Sequence, residues 1–304
     1  MTERRSPTCL NCGATLEGRF CGDCGQRDVP PYPSVRELAL DAVSEFSGWD
    51  GRLSSTLRAL VRSPGLLTLE FLEGRRARYV SPLRLYLTAS LVYFLLAAVA
   101  PNFGLNDGRE RGLRITANRG EDSPAASRAA RVGEAAGAAL EKGEALSQAE
   151  RDSVLRDIEK APAPMRPFLR RAVGDPDGFK RGIANAVPRM LFALLPVFAA
   201  IVALFYRGRK YPEHLYFAIH LHAFIFLALA LGALFRFLKV QEVAAVAGVV
   251  TVIWIPIYAV LALRRVYGGS LVRTVAKGLA IAGIYAVTAF VGFGIVVYAV
   301  SLWG

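Results

Sequence analysis

Five stretches of this chain carry almost no charge over lengths that match a bilayer, and no other feature restricts its fold as strongly. A helix needs roughly 17–25 apolar residues to cross the hydrocarbon core. The runs are Leu85 to about Phe103, Met190 to Tyr206, His214 to about Phe235, Val243 to Leu263, and Gly278 to the end. None alternates apolar and polar residues as a half-buried strand would, so each reads as a helix. Pro196 and Pro256 fall inside the second and fourth runs, where neighbouring helices can satisfy the carbonyls that proline frees.

Composition agrees. Hydrophobic residues make up 53% of the 304 and charged residues 20%, against about 45–50% and about 25% in a soluble domain. A formal net charge of +12 would alone point to a nucleic-acid binder. Its distribution argues otherwise. Residues 1–84 hold 12 basic and 10 acidic side chains, residues 101–186 hold 15 and 13, and residues 187–304 hold 10 and 2, the two being Glu213 and Glu242. The excess therefore sits in the most apolar part of the chain. Basic residues beside short membrane loops set orientation, so the lipid bilayer is the expected partner and nucleic acid is disfavoured.

Arg75, Arg76, Arg78 and Arg84 precede the first run. Arg207, Arg209 and Lys210 follow the second, and Arg264 and Arg265, with Arg273 and Lys277, separate the last two. Placing these richer loops in the cytoplasm puts the N-terminus inside and the C-terminus outside a multi-pass protein. The first 30 residues hold no apolar core of a signal peptide, so the first run is expected to act as a signal anchor. A transmembrane helix at 82–104 and a four-helix transmembrane region at 187–304 are then separated by residues 105–186. That segment is rich in Ala, Arg and Glu, with Pro162, Pro164 and Pro167, and is expected to be an extracytoplasmic helical or flexible insert. Gly278, Ala282, Gly292 and Gly294 in the last run read as close-packing residues.

All four cysteines lie near the N-terminus, as Cys9-Leu-Asn-Cys12-Gly13 and Cys21-Gly-Asp-Cys24-Gly25. Two such C-x-x-C-G units, with eight residues between them, have the spacing of a four-thiolate tetrahedral site. Leu16 and Phe20 between them make little core, so a bound metal would hold the module together. The expected cofactor is one structural zinc per chain, held by Cys9, Cys12, Cys21 and Cys24 in a cytoplasmic ribbon at 1–28. Iron in a similar four-sulfur ring, two disulfides and a redox C-x-x-C are the alternatives. A cytoplasmic N-terminus opposes disulfides, and no βαβ pattern surrounds the pairs. A closed site with no neighbouring histidine argues against catalysis at the metal, and Arg19 and Arg27 alone make no nucleic-acid surface. The expected fold class is thus an all-α integral membrane protein of about five transmembrane helices with a small N-terminal zinc ribbon.

Residues 29–81 read as amphipathic juxtamembrane helices. Ser34-Val-Arg-Glu37 has the form of a capping box, and Val35, Leu38, Ala42, Val43 and Phe46 follow at helical spacing. Two more short helices are expected around Ser54–Arg62 and Leu66–Glu73, broken by Ser63-Pro64-Gly65 and by Gly74. They suit either the interface, with arginines on anionic headgroups, or the cytoplasmic side of the bundle.

His214, His220 and His222 are all the histidines of the chain, and Glu213 precedes the first. Ionisable groups within a span mark functional sites by default. At about 100° per residue, His220 and His222 point to nearly opposite faces and cannot chelate one metal together. Glu213, His214, His220 and His222 are candidate catalytic or proton-carrying residues if other helices supply partners. Otherwise they are bundle-facing groups satisfied by backbone or tyrosine hydroxyls, those of Tyr86 and Tyr93 among them.

Several landmarks coincide: the Cys9 and Cys21 units, the second ending in Gly25-Gln26; Pro64-Gly65; Gly74-x-Arg76-x-x-Tyr79-x-x-Pro82-x-x-x-Tyr86-Leu87; Leu195-Pro196; and Glu213-His214-Leu215 with His220-x-His222. Their combination resembles the bacterial multi-pass membrane family with an N-terminal zinc ribbon known as domain of unknown function 3667. The likeness runs to about residue 225, apart from the 107–186 insert. It implies a zinc-ribbon protein of the bacterial inner membrane and no particular activity. The leading expectation is a non-enzymatic membrane protein whose ribbon and juxtamembrane helices dock a protein partner at the cytoplasmic face, or sense metal, while the bundle anchors it. An intramembrane metal-dependent enzyme using Glu213, His214, His220 and His222 is the second reading. A small-solute or proton-coupled transporter is the third, weakened by the lack of a visible inverted repeat.

Overall fold

Backbone groups in an apolar stretch can satisfy one another only within their own helix, and in the computed structural model the described residues of each apolar run, apart from Tyr206, fall in one continuous helix. The structure describes residues 7–28, 52–99, 132, 133, 137, 148–238 and 240–303. Helices α1 (Arg52–Arg62) and α2 (Leu66–Leu72) precede α3 (Pro82–Val99). After α4 (Gln148–Ile158) and α5 (Arg166–Gly174) come four long helices, α6 (Pro176–Phe205), α7 (Tyr211–Phe237), α8 (Gln241–Tyr267) and α9 (Leu271–Trp303). Five of these, α3 and α6 to α9, are long and apolar enough to cross a membrane. Among the described residues there is no strand, only isolated bridges pairing Thr8 with Thr15 and Phe20 with Arg27.

Two helices start well ahead of their apolar runs. The helix carrying the second run begins at Pro176, so the boundary expected at 187 falls inside α6. The fifth begins at Leu271 and carries Arg273 and Lys277 in its first turns. A helix needs no apolar face to continue once nucleated, so polar turns extend both. The capping-box helix expected from Ser34 lies outside the described residues.

Contacts divide the chain into two units, Met1–Pro101 with Leu195–Tyr285, and Asn102–Leu194 with Ala286–Gly304. In the first, α7 is the central element. Both α3 and α8 pack along it, α1 and α2 pack on it, and α2 also reaches α8. As a result 67% of the apolar window of α7 is buried, against 6% for α9. Tyr86 and Tyr93 of α3 both close on the Phe226 ring, and Phe224 stacks on Tyr258 of α8 at 3.5 Å. In the second unit, Ile158, Leu169, Ala172, Val173 and Phe179 form a small core, with Val297 and Val300 packed on it.

Of the two settings open to the juxtamembrane helices, α1 and α2 take the bundle. Thr56, Leu60, Leu67, Thr68 and Phe71 are buried. The turn between them comes so close to α8 that only glycine fits: Gly65 has φ 77°, and a Cβ there would stand 2.9 Å from the Ala262 carbonyl oxygen. Tyr258 donates its hydroxyl to the Leu60 carbonyl at 2.8 Å, and Arg265 Nη1 donates to the Pro64 carbonyl at 2.9 Å.

Candidate metal centre and buried histidines

Each C-x-x-C-G unit folds into a knuckle closed by its own backbone. Gly13 N donates to the Cys9 carbonyl at 2.8 Å, and Gly25 N to the Cys21 carbonyl at 3.0 Å. Both glycines sit at positive φ, 80° and 69°, as the tight turn requires. The four sulfurs lie within 4.8 Å of one another. Cys9 and Cys24 approach to 3.6 Å, and Cys12 and Cys21 to 3.5 Å. A disulfide would need about 2.05 Å, so all four are free thiols. Sulfurs bonded at about 2.3 Å around a tetrahedral centre are roughly 3.8 Å apart, close to the spacing found. The four cysteines can hold a metal ion.

Their electrostatics suit a cation. Amides of Cys24 and Asp23 point at the Cys21 sulfur and lower its thiol to about 7. At Cys12 the Ala14 amide also favours the thiolate, but the neighbouring thiols and desolvation outweigh it and push the group up to about 12. Sulfurs this crowded cannot all ionise unless a positive ion sits among them.

The ribbon does not hang free. Gln26 reaches the loop between α2 and α3, where its Nε2 donates to the Gly74 carbonyl at 2.8 Å. Its Oε1 accepts from the amides of Arg76 at 3.0 Å and Ala77 at 3.1 Å. In that loop Arg75 forms a fork on Glu70, at 3.0 and 2.6 Å, and also pairs with Glu73. Arg76 donates to the Phe71 carbonyl. Arg75 and Arg76, both expected to act as orientation signals, therefore also fasten this loop to α2.

The histidines of α7 occupy three separate settings. His214 Nδ1 lies 2.8 Å from the Tyr267 hydroxyl, and Tyr267 stacks on Tyr206 at 4.3 Å. His220 Nδ1 lies 3.1 Å from the Thr68 hydroxyl. His222 Nδ1 lies 2.8 Å from the Ala218 carbonyl and Nε2 lies 2.9 Å from the Tyr285 hydroxyl. A carbonyl only accepts, so His222 carries its proton on Nδ1 and accepts from Tyr285. The hydroxyls on the histidines are thus those of Thr68, Tyr267 and Tyr285, in place of Tyr86 and Tyr93. Glu213 caps α7: its carboxylate accepts from the Lys210 amide at 3.1 Å and from Arg209 Nη1 at 2.9 Å. Arg209 Nη2 then donates to the Val266 carbonyl at 2.9 Å, joining α7 to α8. Among the described residues, the group of side chains able to share a metal ion is the cysteine cluster.

Gln26, Thr68, Tyr267 and Tyr285 were not among the sequence candidates. Gln26 had one local signal, its place directly after Cys24-Gly25; the others are far from their partners in sequence.

The elements define a class: an all-α chain with five helices fit to span a membrane and a four-cysteine cluster at its N-terminus. A family model described as "Protein of unknown function (DUF3667)" matches residues 50–94. The match takes in α1, α2, the loop that Gln26 holds and most of α3, and includes neither the cysteines nor the histidines. No curated protein and no solved structure matches the chain.

Proposed function

We propose that this is a non-enzymatic inner-membrane protein whose cytoplasmic ribbon holds one structural zinc and, with the juxtamembrane helices, docks a protein partner. The helical bundle is its anchor. The observation that carries this reading is the sulfur geometry, whose spacings near 3.5 Å suit a closed four-thiolate centre. A closed centre leaves no position for substrate, so the metal shapes a surface. Phe20, 62% exposed, lies on that surface between the two knuckles.

Orientation follows from charge. Arg76 over the Tyr216 ring, Arg209 on Val266 and Arg265 on Pro64 lie near the start of α7 and the end of α8, which supports a cytoplasmic ribbon. The enzyme reading finds less support, because Glu213 is a helix cap and the three histidines have separate partners.

A photo-crosslinker at position 20 tests the docking. It should capture one discrete cytoplasmic protein in living cells, and a crosslinker at Trp303 should not. Capture of that protein from 303 instead would reverse the orientation. No adduct at 20 above that of a buried control position would end the docking reading.

A further inference from the structure

We infer that Gln26 latches the ribbon to the loop between α2 and α3, so that metal on the four cysteines closes this juxtamembrane loop and loss of metal frees it. The inference rests on the metal reading and adds a metal-dependent clamp to it. Its ligand is a divalent cation with thiolate affinity.

Gln26 belongs to both partners of the contact. Its backbone carbonyl accepts from the Cys21 amide at 2.9 Å and so helps to close the second knuckle. Its side chain makes the three hydrogen bonds to Gly74, Arg76 and Ala77. A side-chain amide offers two donors and two acceptor sites, and three of these four are used on one loop. The first knuckle touches the same place. Leu10, between Cys9 and Cys12, lies so close to Gly74 that a Cβ there would stand 2.6 Å from Leu10 Cδ1. Both halves of the metal site therefore bear on one turn of backbone.

The turn is in contact with the bundle. Arg76 donates to the Phe71 carbonyl, and the Phe71 ring packs on Tyr216 at 5.8 Å and on His220 at 5.4 Å. The ribbon has almost no apolar core, so its knuckles are expected to keep their shape only around a metal. When they relax, Gln26 and Leu10 lose the geometry that brings them to the loop. By linkage, the loop stabilises the loaded ribbon as much as the metal stabilises the loop.

The loop sequence Gly74-Arg-Arg-Ala-Arg78 is cleavable by trypsin, which supplies the readout. The full chain in detergent is digested as zinc-loaded wild type, as chelator-stripped wild type, and as zinc-loaded Gln26→Ala and Leu10→Ala, with zinc counted in each. Stripped wild type and loaded Gln26→Ala should be cut after Arg76 or Arg78 about tenfold faster than loaded wild type, as expected when several hydrogen bonds protecting a local opening are lost. Loaded Leu10→Ala should also be cut faster. A fall in zinc affinity in Gln26→Ala would support the latch, by the same reciprocity. Equal cleavage of loaded and stripped wild type overturns it, as does wild-type cleavage in both zinc-holding variants. If wild type holds no metal, the metal reading itself fails; if it holds one and cleavage ignores it, only the latch fails.

Discussion

Thr68 belongs to a short helix far from α7 in sequence, yet its hydroxyl is what meets His220 Nδ1, at 3.1 Å in a buried site. An isosteric valine would leave that ring nitrogen buried without its partner, and an orphaned buried polar group costs about 1–3 kcal/mol. The bond joins two neutral groups and sits near the low end of that range, so Thr68→Val should destabilise the protein by about 1 kcal/mol. Thermal unfolding in detergent reads this as a lowered midpoint, and an unchanged midpoint would show that Thr68 carries nothing. The sequence made His214, His220 and His222 conspicuous, and helical geometry showed that His220 and His222 diverge. Their partners were not legible. Tyr86 and Tyr93 are well placed in composition, but the packing of α3 turns both rings onto Phe226.

At the scale of elements, the turn between α1 and α2 lies against the backbone of α8. Gly65 lies there at φ 77° with the Ala262 backbone where a side chain would go. Gly65→Val combines a disfavoured left-handed conformation with a clash against helix backbone, and should cost about 2 kcal/mol or more. A fall in the unfolding midpoint larger than that of Thr68→Val is expected; a smaller one would mean that the turn is not pinned to α8. Apolar runs announced all five long helices, because an uncharged stretch of that length has few other uses. The starts of α6 and α9 were hidden, since Pro176–Arg189 and Leu271–Lys277 mix polar and apolar residues and a local pattern does not show that a helix continues through them. The setting of α1 and α2 was equally hidden. An apolar face states that something covers it, and the covering surface here comes from α7 and α8.

For the molecule as a whole, the cysteine spacing was the most informative line of sequence, and the structure brings the four sulfurs within 4.8 Å. Two C-x-x-C-G units are local motifs whose closure depends on few distant residues, which is why they could be read directly. The attachment of the ribbon through Gln26 was not readable, because it depends on Arg76, 50 residues away, and its neighbours meeting one amide side chain. The central claim is that these cysteines hold a single structural zinc. It is tested most directly by counting metal in the purified full chain, wild type and with Cys9, Cys12, Cys21 and Cys24 all replaced by serine. One zinc per wild-type chain and none in the variant, with the helical spectrum retained, is the predicted result. A wild-type chain without metal, or a variant that still holds one zinc, would contradict it.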